Sequence, residues 1–194
     1  MRISKPPEVR RQEIMDTAMK VFALKGYEQT TMRDIAAEVG IVPGLCYRYF
    51  ESKQELFDAA AAQYIADYCA PFIRILKSVD TVKIKEPDEL KSFFSKNAAA
   101  LHGDDEKGQY HSFFHKSENK NFHTVLSCGI CDYMLPYVKE LFDALKEKSV
   151  ISCDDTESLA LFVLHGISAV LNDKNMSETC KSENIMRYLL KLLK

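Results

Sequence analysis

The chain has 194 residues, of which 46% are hydrophobic and 28% charged, a globular composition that excludes a disordered tail or a fibrous repeat. Lys plus Arg number 26 against 28 Asp plus Glu, for a net charge of −2, so any anion-binding face must be local. No apolar run reaches the roughly 18 residues of a membrane helix, and Met1-Arg2-Ile3-Ser4-Lys5-Pro6-Pro7 has no apolar stretch behind its basic residues, so no membrane contact is expected and the expected compartment is the cytoplasm.

The pattern is helical from the start. Ile14, Ala18, Val21 and Phe22 recur at helical spacing while Arg10, Arg11, Glu13, Asp16 and Lys20 fill the opposite face, which predicts a helix over residues 8–25, entered at Pro7 and stopped at Gly26. Thr31 can cap a second, short helix with Asp34 in the reciprocal position, Ile35, Ala36 and Val39 forming its apolar face and Gly40 its end. A third helix fits Pro43 to Phe50. Ser52-Lys53-Gln54-Glu55 reads as a capping box opening a fourth, to about Ser78, with Pro71 as a kink or break. Residues 78–87 read as a loop, followed by a helix from Pro87 to Leu101 and a short one around Lys107–Lys116. A long helix is expected from Asn121 to Lys148, bent at Pro136. Asp154-Asp155-Thr156-Glu157 caps a helix to Leu171 whose residues are apolar nearly all round, so it must be covered on more than one side. A last helix spans Ser177 to Leu193. No strand pattern occurs, and the expected fold is all-α with about nine helices.

Two short helices joined by Gly40-Ile41-Val42, with a longer one before them, make a helix-turn-helix. Gly40 allows the chain to turn, and Ile35, Val39, Ile41, Cys46 and Phe50 supply the packing. The second short helix can then present Pro43, Gly44, Leu45, Tyr47 and Arg48 to a major groove, N-terminal end first. Periodicity alone is equally consistent with a plain helical hairpin.

The run Thr30-Thr31-x-Arg33-x-Ile35-Ala36-x-x-x-Gly40-Ile41-x-x-Gly44-x-x-Tyr47-x-Tyr49-Phe50-x-Ser52-Lys53-x-x-Leu56 closely resembles the DNA-binding domain of TetR-family transcriptional regulators. With Ile14, Ala18, Phe22 and Gly26-Tyr27 the resemblance covers about a third of the chain; the rest matches the family only in length and helicity. The resemblance implies an N-terminal three-helix DNA-binding domain over residues 8–68, its helix-turn-helix at about 31–50, and a C-terminal helical bundle over 69–194 for effector binding and dimerisation. It implies a homodimer acting on a double-stranded, palindromic DNA operator as a repressor, released by a small-molecule effector. Thr31 would contact a phosphate, Tyr47 the DNA backbone or a thymine methyl, and Lys53 a phosphate. Arg33 stands where some members send an arginine to a guanine, and Gly44 would permit close approach. Pro43, Leu45 and Arg48 would be the variable readers, and Tyr49 would complete the DNA-facing set.

Three positions depart from the family pattern. Val42 replaces the usual Ser or Thr cap of the recognition helix, Leu45 is often Thr, and Tyr49 is often His. Few hydrogen-bonding side chains then remain at the front of that helix, so Arg33, Tyr47, methyl contacts and DNA shape are expected to carry base preference. The first 55 residues hold nine Lys or Arg against eight Asp or Glu, a weak positive balance. Arg2, Lys5, Arg10 and Arg11 could form an arm along the DNA backbone.

Other constellations point elsewhere. Cys128 and Cys131 form a C-x-x-C, and with His111 and His115, four residues apart, they make a four-ligand set for a metal- or thiol-sensing alternative. Aromatics concentrate in the middle helices, and the resemblance makes Phe94, His111, Phe114, His115, Tyr133, Met134 and Tyr137 candidate effector contacts. No phosphate-binding loop, dinucleotide fingerprint or nucleophile elbow occurs, so neither catalysis nor a resident cofactor is expected.

Overall fold

The computed structural model describes residues 5–96 and 120–193. Among these residues it has no strand and eight helices: α1 (Pro7–Lys25), α2 (Met32–Val39), α3 (Pro43–Tyr49), α4 (Lys53–Lys77), α5 (Pro87–Lys96), α6 (Lys120–Glu147), α7 (Thr156–Leu171) and α8 (Glu178–Leu192). The fold is all-α. The short helix expected around Lys107–Lys116, and the stretch of the fifth beyond Lys96, lie outside the described residues. The described chain divides into two compact units, residues 5–66 with 120–126, and residues 67–96 with 127–193. No helix among the described residues is long and apolar enough to cross a membrane.

In the first unit, Ile14, Ala18 and Phe22 of α1 meet Ile35 and Ala36 of α2, Cys46, Phe50, Leu56 and Ala60 in a fully buried core. The turn leaving α1 needs a residue that accepts φ of +88° with ψ of 148°, and Gly26 occupies it while its N–H still bonds Phe22 O at 2.9 Å. No atom would crowd a Cβ there, so the requirement is conformational. Gly26→Ala is therefore expected to lower stability by about 1–3 kcal/mol, read as a shift of the denaturant midpoint at constant slope. The turn is fastened by Thr30, whose buried hydroxyl donates to Gly26 O at 2.7 Å, and by Tyr27, whose ring packs against Phe22 and Phe57.

Proline does not break the longer helices. Pro71 lies inside α4 and Pro136 inside α6, so of the kink or break expected at the first the break does not occur; each removes one backbone donor from a helix of many turns. The box at α4 also differs from the pattern. Glu55 N–H donates to Ser52 Oγ at 3.0 Å, but the Glu55 carboxylate reaches back to Glu51 N–H at 2.6 Å, one residue beyond its expected partner.

In the second unit, α6 ends in a left-handed residue that is not glycine: Ser149 has φ of 56°. Its N–H bonds Lys146 O and the N–H of buried Val150 bonds Leu145 O, both at 2.9 Å, a Schellman closure. Ser149→Gly is expected to raise stability by about 0.5 kcal/mol, strain relief outweighing the added chain entropy; a lower midpoint in a melt would refute that reading of the turn. Asp155 caps α7, accepting from Glu157 and Ser158 N–H at 3.2 and 3.0 Å. The Ser158 side chain first, and then those backbone bonds, hold its carboxyl below the usual carboxylate range. The Thr156 hydroxyl donates to Asp143, which Lys139 also grips at 2.7 Å.

The apolar helix is less covered than its composition demands. Within the chain α7 buries Thr156, Ala160 and Val163, while Phe162 is 67% exposed and Leu171 is exposed. On α8, Ile185, Met186, Leu189 and Leu190 are half-buried, and Tyr188 and Leu192 are exposed. Two adjacent helices thus leave apolar surface in water, well beyond a scatter of single side chains.

Candidate nucleic-acid interface

The site begins at the two ends of α2. Thr31 accepts from Asp34 N–H at 3.2 Å, and Asp34 Oδ2 accepts from Thr31 N–H at 2.7 Å, so the expected capping box is formed. The Thr31 hydroxyl also donates to Asp34 at 2.6 Å, and Lys25 pairs with the other carboxylate oxygen at 2.8 Å. Led by the Lys25 contact, these bonds hold the Asp34 carboxyl far below the usual carboxylate range. The consequence for anion binding is specific. The hydroxyl proton of Thr31 is committed to Asp34, so the donors left at this helix start are the N–H groups of Met32 and Arg33. The Lys25 ammonium offsets the charge of the capping carboxylate beside them.

At the other end Gly40 takes φ of 75° and ψ of 33°, and Ile41 N–H bonds Ala36 O at 2.9 Å. This tight stop turns the chain directly into α3. Val42 is the N-cap of α3 and makes no side-chain cap bond. Cys46 and Phe50 are fully buried, and burial pushes the Cys46 thiol upward. That anchoring leaves Pro43, Gly44, Tyr47 and Arg48 exposed, with Leu45 and Tyr49 partly covered. Val42 is 53% exposed and Tyr47 is 50% exposed. A Cβ on Gly44 would meet nothing within 4 Å. The helix therefore shows water a face that is apolar at its front and carries a phenol and a guanidinium behind.

The cations are placed less freely than their number implies. Lys5 and Arg10 both pair with Glu13, at 2.7 and 2.6 Å. The Arg11 guanidinium lies 4.7 Å from the centre of the Phe50 ring. Lys53 folds back so that its ammonium donates to Tyr27 O at 2.7 Å and stands 4.2 Å from the centre of the Tyr27 ring. Only the Arg10–Glu13 pair, at i,i+3 on one helix, has a spacing that signals its contact. Among the described residues of the first unit, Lys20, Arg33 and Arg48 are the cations with no such partner. Lys53 still has donor capacity for a phosphate, since an ammonium offers three N–H groups, but it also clamps the turn after α1.

The other candidates are not gathered into one place by the described residues. Tyr133 and Tyr137 on α6 have ring centres 6.3 Å apart, and Lys77 stands 5.2 Å from the Tyr137 ring. Met134 is buried while Tyr133 is 40% exposed. The side chain of Phe94 and the whole of His111, Phe114 and His115 lie outside what the structure describes. Cys128 is exposed and Cys131 buried, and burial pushes the Cys131 thiol upward. Among the described residues no group of three or more His, Cys, Asp or Glu could hold a metal ion; the two histidines of the metal reading fall outside them.

Comparison with known proteins points the same way as the geometry. Residues 14–60 match the family model described as bacterial regulatory proteins, tetR family. The chain is similar to the HTH-type transcriptional repressor KstR2 of Rhodococcus jostii, 36% identical over 69 residues, which is 36% of this chain and 34% of that protein. This chain thus spans about a third of that relative's length. Two solved structures resemble it over nearly all of its length. A TetR-family transcriptional regulator from Pectobacterium atrosepticum has a TM-score of 0.61 at 20% identity, covering 96% of this chain and 93% of the other. RolR in complex with resorcinol has a TM-score of 0.60 at 16% identity, covering 96% and 88%. At such identities the structures speak for the fold, while residues 14–60 carry the sequence signature. Taken with the helix-turn-helix that those residues build, the matches show that residues 14–60 carry the sequence pattern of the tetR family of bacterial regulatory proteins, on a fold shared with these solved structures.

Proposed function

We propose that the chain is a dimeric, sequence-specific DNA-binding repressor, released from a palindromic operator by a small-molecule effector. The observation that carries this reading is the exposed face of α3, held by buried Cys46 and Phe50 on one side and offering Gly44, Tyr47 and Arg48 on the other. Residues 8–68 form the DNA-binding domain and residues 69–194 the effector and dimer domain. Thr31, Arg33, Pro43, Gly44, Leu45, Tyr47, Arg48, Tyr49 and Lys53 make up the DNA-facing set. At the start of α2 the phosphate is taken by backbone N–H groups that the Thr31–Asp34 box orients.

The exposed apolar surface of α7 and α8 is covered by the same helices of a second copy, a two-fold arrangement that presents two α3 helices to successive turns of one groove face, about 34–36 Å apart. The effector occupies the second domain near Tyr133, Met134 and Tyr137; the similarly folded RolR is a protein solved in complex with a small ligand, resorcinol. It lowers operator affinity only to the extent that it binds the released spacing better than the bound one; a tenfold preference gives at most a tenfold loss.

Selection of duplexes from a random pool tests the reading. Enrichment of an inverted repeat by the wild-type chain, absent with folded Tyr47→Ala, is the expected outcome; a folded dimer that enriches nothing would contradict it. The two uncommitted arginines then separate by role. Arg48→Ala is expected to lower the slope of log affinity against log salt by about 0.9 per subunit, as for one lost phosphate contact. Arg33→Ala is expected to relax preference at one base pair per half-site, worth about 1–3 kcal/mol, in a titration against single-base variants.

A further inference from the structure

We propose that Val42 is a base-reading residue that recognises the C5-methyl group of a thymine in each operator half-site. The assignment rests on the DNA-binding reading above and adds the chemistry of the base it selects. Two residues at the start of α3 weaken the helix they begin. Valine at the N-cap cannot accept a bond from the first-turn N–H groups, and the structure records no cap bond there. Glycine at position 44 carries the entropy cost of an unsubstituted residue inside a helix. Neither cost is offset within the described molecule: Val42 is 53% exposed, and the space above Gly44 is open. A half-exposed valine that does not cap, next to a proline and a glycine that likewise present no polar side chain, marks a surface shaped for something outside the chain.

The chemistry of that surface is narrow. From Val42 to Leu45 no side chain can donate or accept a hydrogen bond, and Cys46 is buried. The side chains at the front of the helix therefore cannot distinguish guanine, adenine or cytosine by their donor and acceptor patterns. The one apolar group exposed on a base edge in the major groove is the thymine methyl. An isopropyl group at the N-cap reaches base edges first in a helix that enters the groove by its N-terminus, and the absent side chain at Gly44 lets the backbone approach closely enough for contact. Arg33, on the preceding helix and without a partner among the described residues, supplies the hydrogen-bond fork that α3 lacks.

Replacing thymine by deoxyuridine removes the methyl group and leaves pairing intact, so it tests the assignment without touching the protein. On a duplex enriched by the full chain, deoxyuridine scanned through each half-site is expected to lower affinity by about fivefold at one position when both half-sites are changed. Val42→Ala is expected to weaken binding to the thymine duplex by a similar factor and to be insensitive to deoxyuridine at that position. Val42→Ser removes both methyl groups, supplies a capping oxygen, and is expected to show the same lost sensitivity in a protein at least as stable as the wild type. A wild-type chain indifferent to every deoxyuridine overturns the assignment alone, as does full sensitivity retained by both folded variants. Failure to enrich any duplex overturns the DNA-binding reading and this assignment with it.

Discussion

Phe162→Glu is expected to turn a dimer into monomers and to abolish operator binding at concentrations where the wild type is saturated. Phe162 lies 67% exposed on a helix that buries only Thr156, Ala160 and Val163 within its own chain. Leu159 and Ile167 beside it are only partly covered, and Gly166 has open space at its Cβ position. A second α7 can therefore come close. An aromatic residue at the centre of such a surface contributes about 2–4 kcal/mol, and two-fold symmetry counts it twice. Introducing a carboxylate adds the cost of burying a charge without a partner. Dimer dissociation should rise by about a thousandfold or more, measured by sedimentation across a dilution series. Operator affinity falls with it, because linking two half-site contacts is what converts the second into an intramolecular event. A Phe162→Glu chain that remains a dimer at micromolar concentration would remove α7 from the interface.

Gly44→Ala is expected to separate stability from function by moving them in opposite directions. The added methyl group meets no atom of the chain, and alanine in place of helical glycine is worth about 0.5–1 kcal/mol. The variant should therefore unfold at higher denaturant. The same methyl group projects from the face proposed to meet DNA, where an overpacked contact costs about 1–3 kcal/mol. Operator affinity should fall by about tenfold to a hundredfold. Gain in both would place the DNA elsewhere; loss in both would mean that the space above Gly44 is filled by the chain itself.

Much of the interface was legible because its determinants are local. The Thr31–Asp34 box, the left-handed Gly40 and the buried pair Cys46 and Phe50 all follow from residues within one or two turns of one another. What escaped is carried by long side chains whose partners lie farther along the sequence. Lys53 reaches Tyr27 O across 26 positions and Lys5 reaches Glu13 across eight, where the i,i+3 partner Arg10 already sits, so a count of basic residues overstates the charge left for phosphates. The shift of the Glu55 contact to Glu51 has the same character: a carboxylate at N3 has two backbone donors within reach, and the pattern of residue types does not choose between them. Composition announced the apolar helix α7 but not that its own chain would leave much of that surface open, since covering by a second copy and covering from within demand the same residues. The effector contacts were the least legible, because aromatic side chains in middle helices serve a core and a pocket equally well.

The account stands or falls on two α3 helices reading one DNA face through a two-fold dimer. Hydroxyl-radical footprinting of the full chain on its enriched duplex measures this most directly. The expected pattern is two protected patches, symmetric about the centre of the inverted repeat and separated by about one helical turn, 34–36 Å, both lost with Gly44→Ala at limiting protein and with Phe162→Glu. Protection confined to one half-site at saturation, or a uniform footprint indifferent to both substitutions, would contradict it.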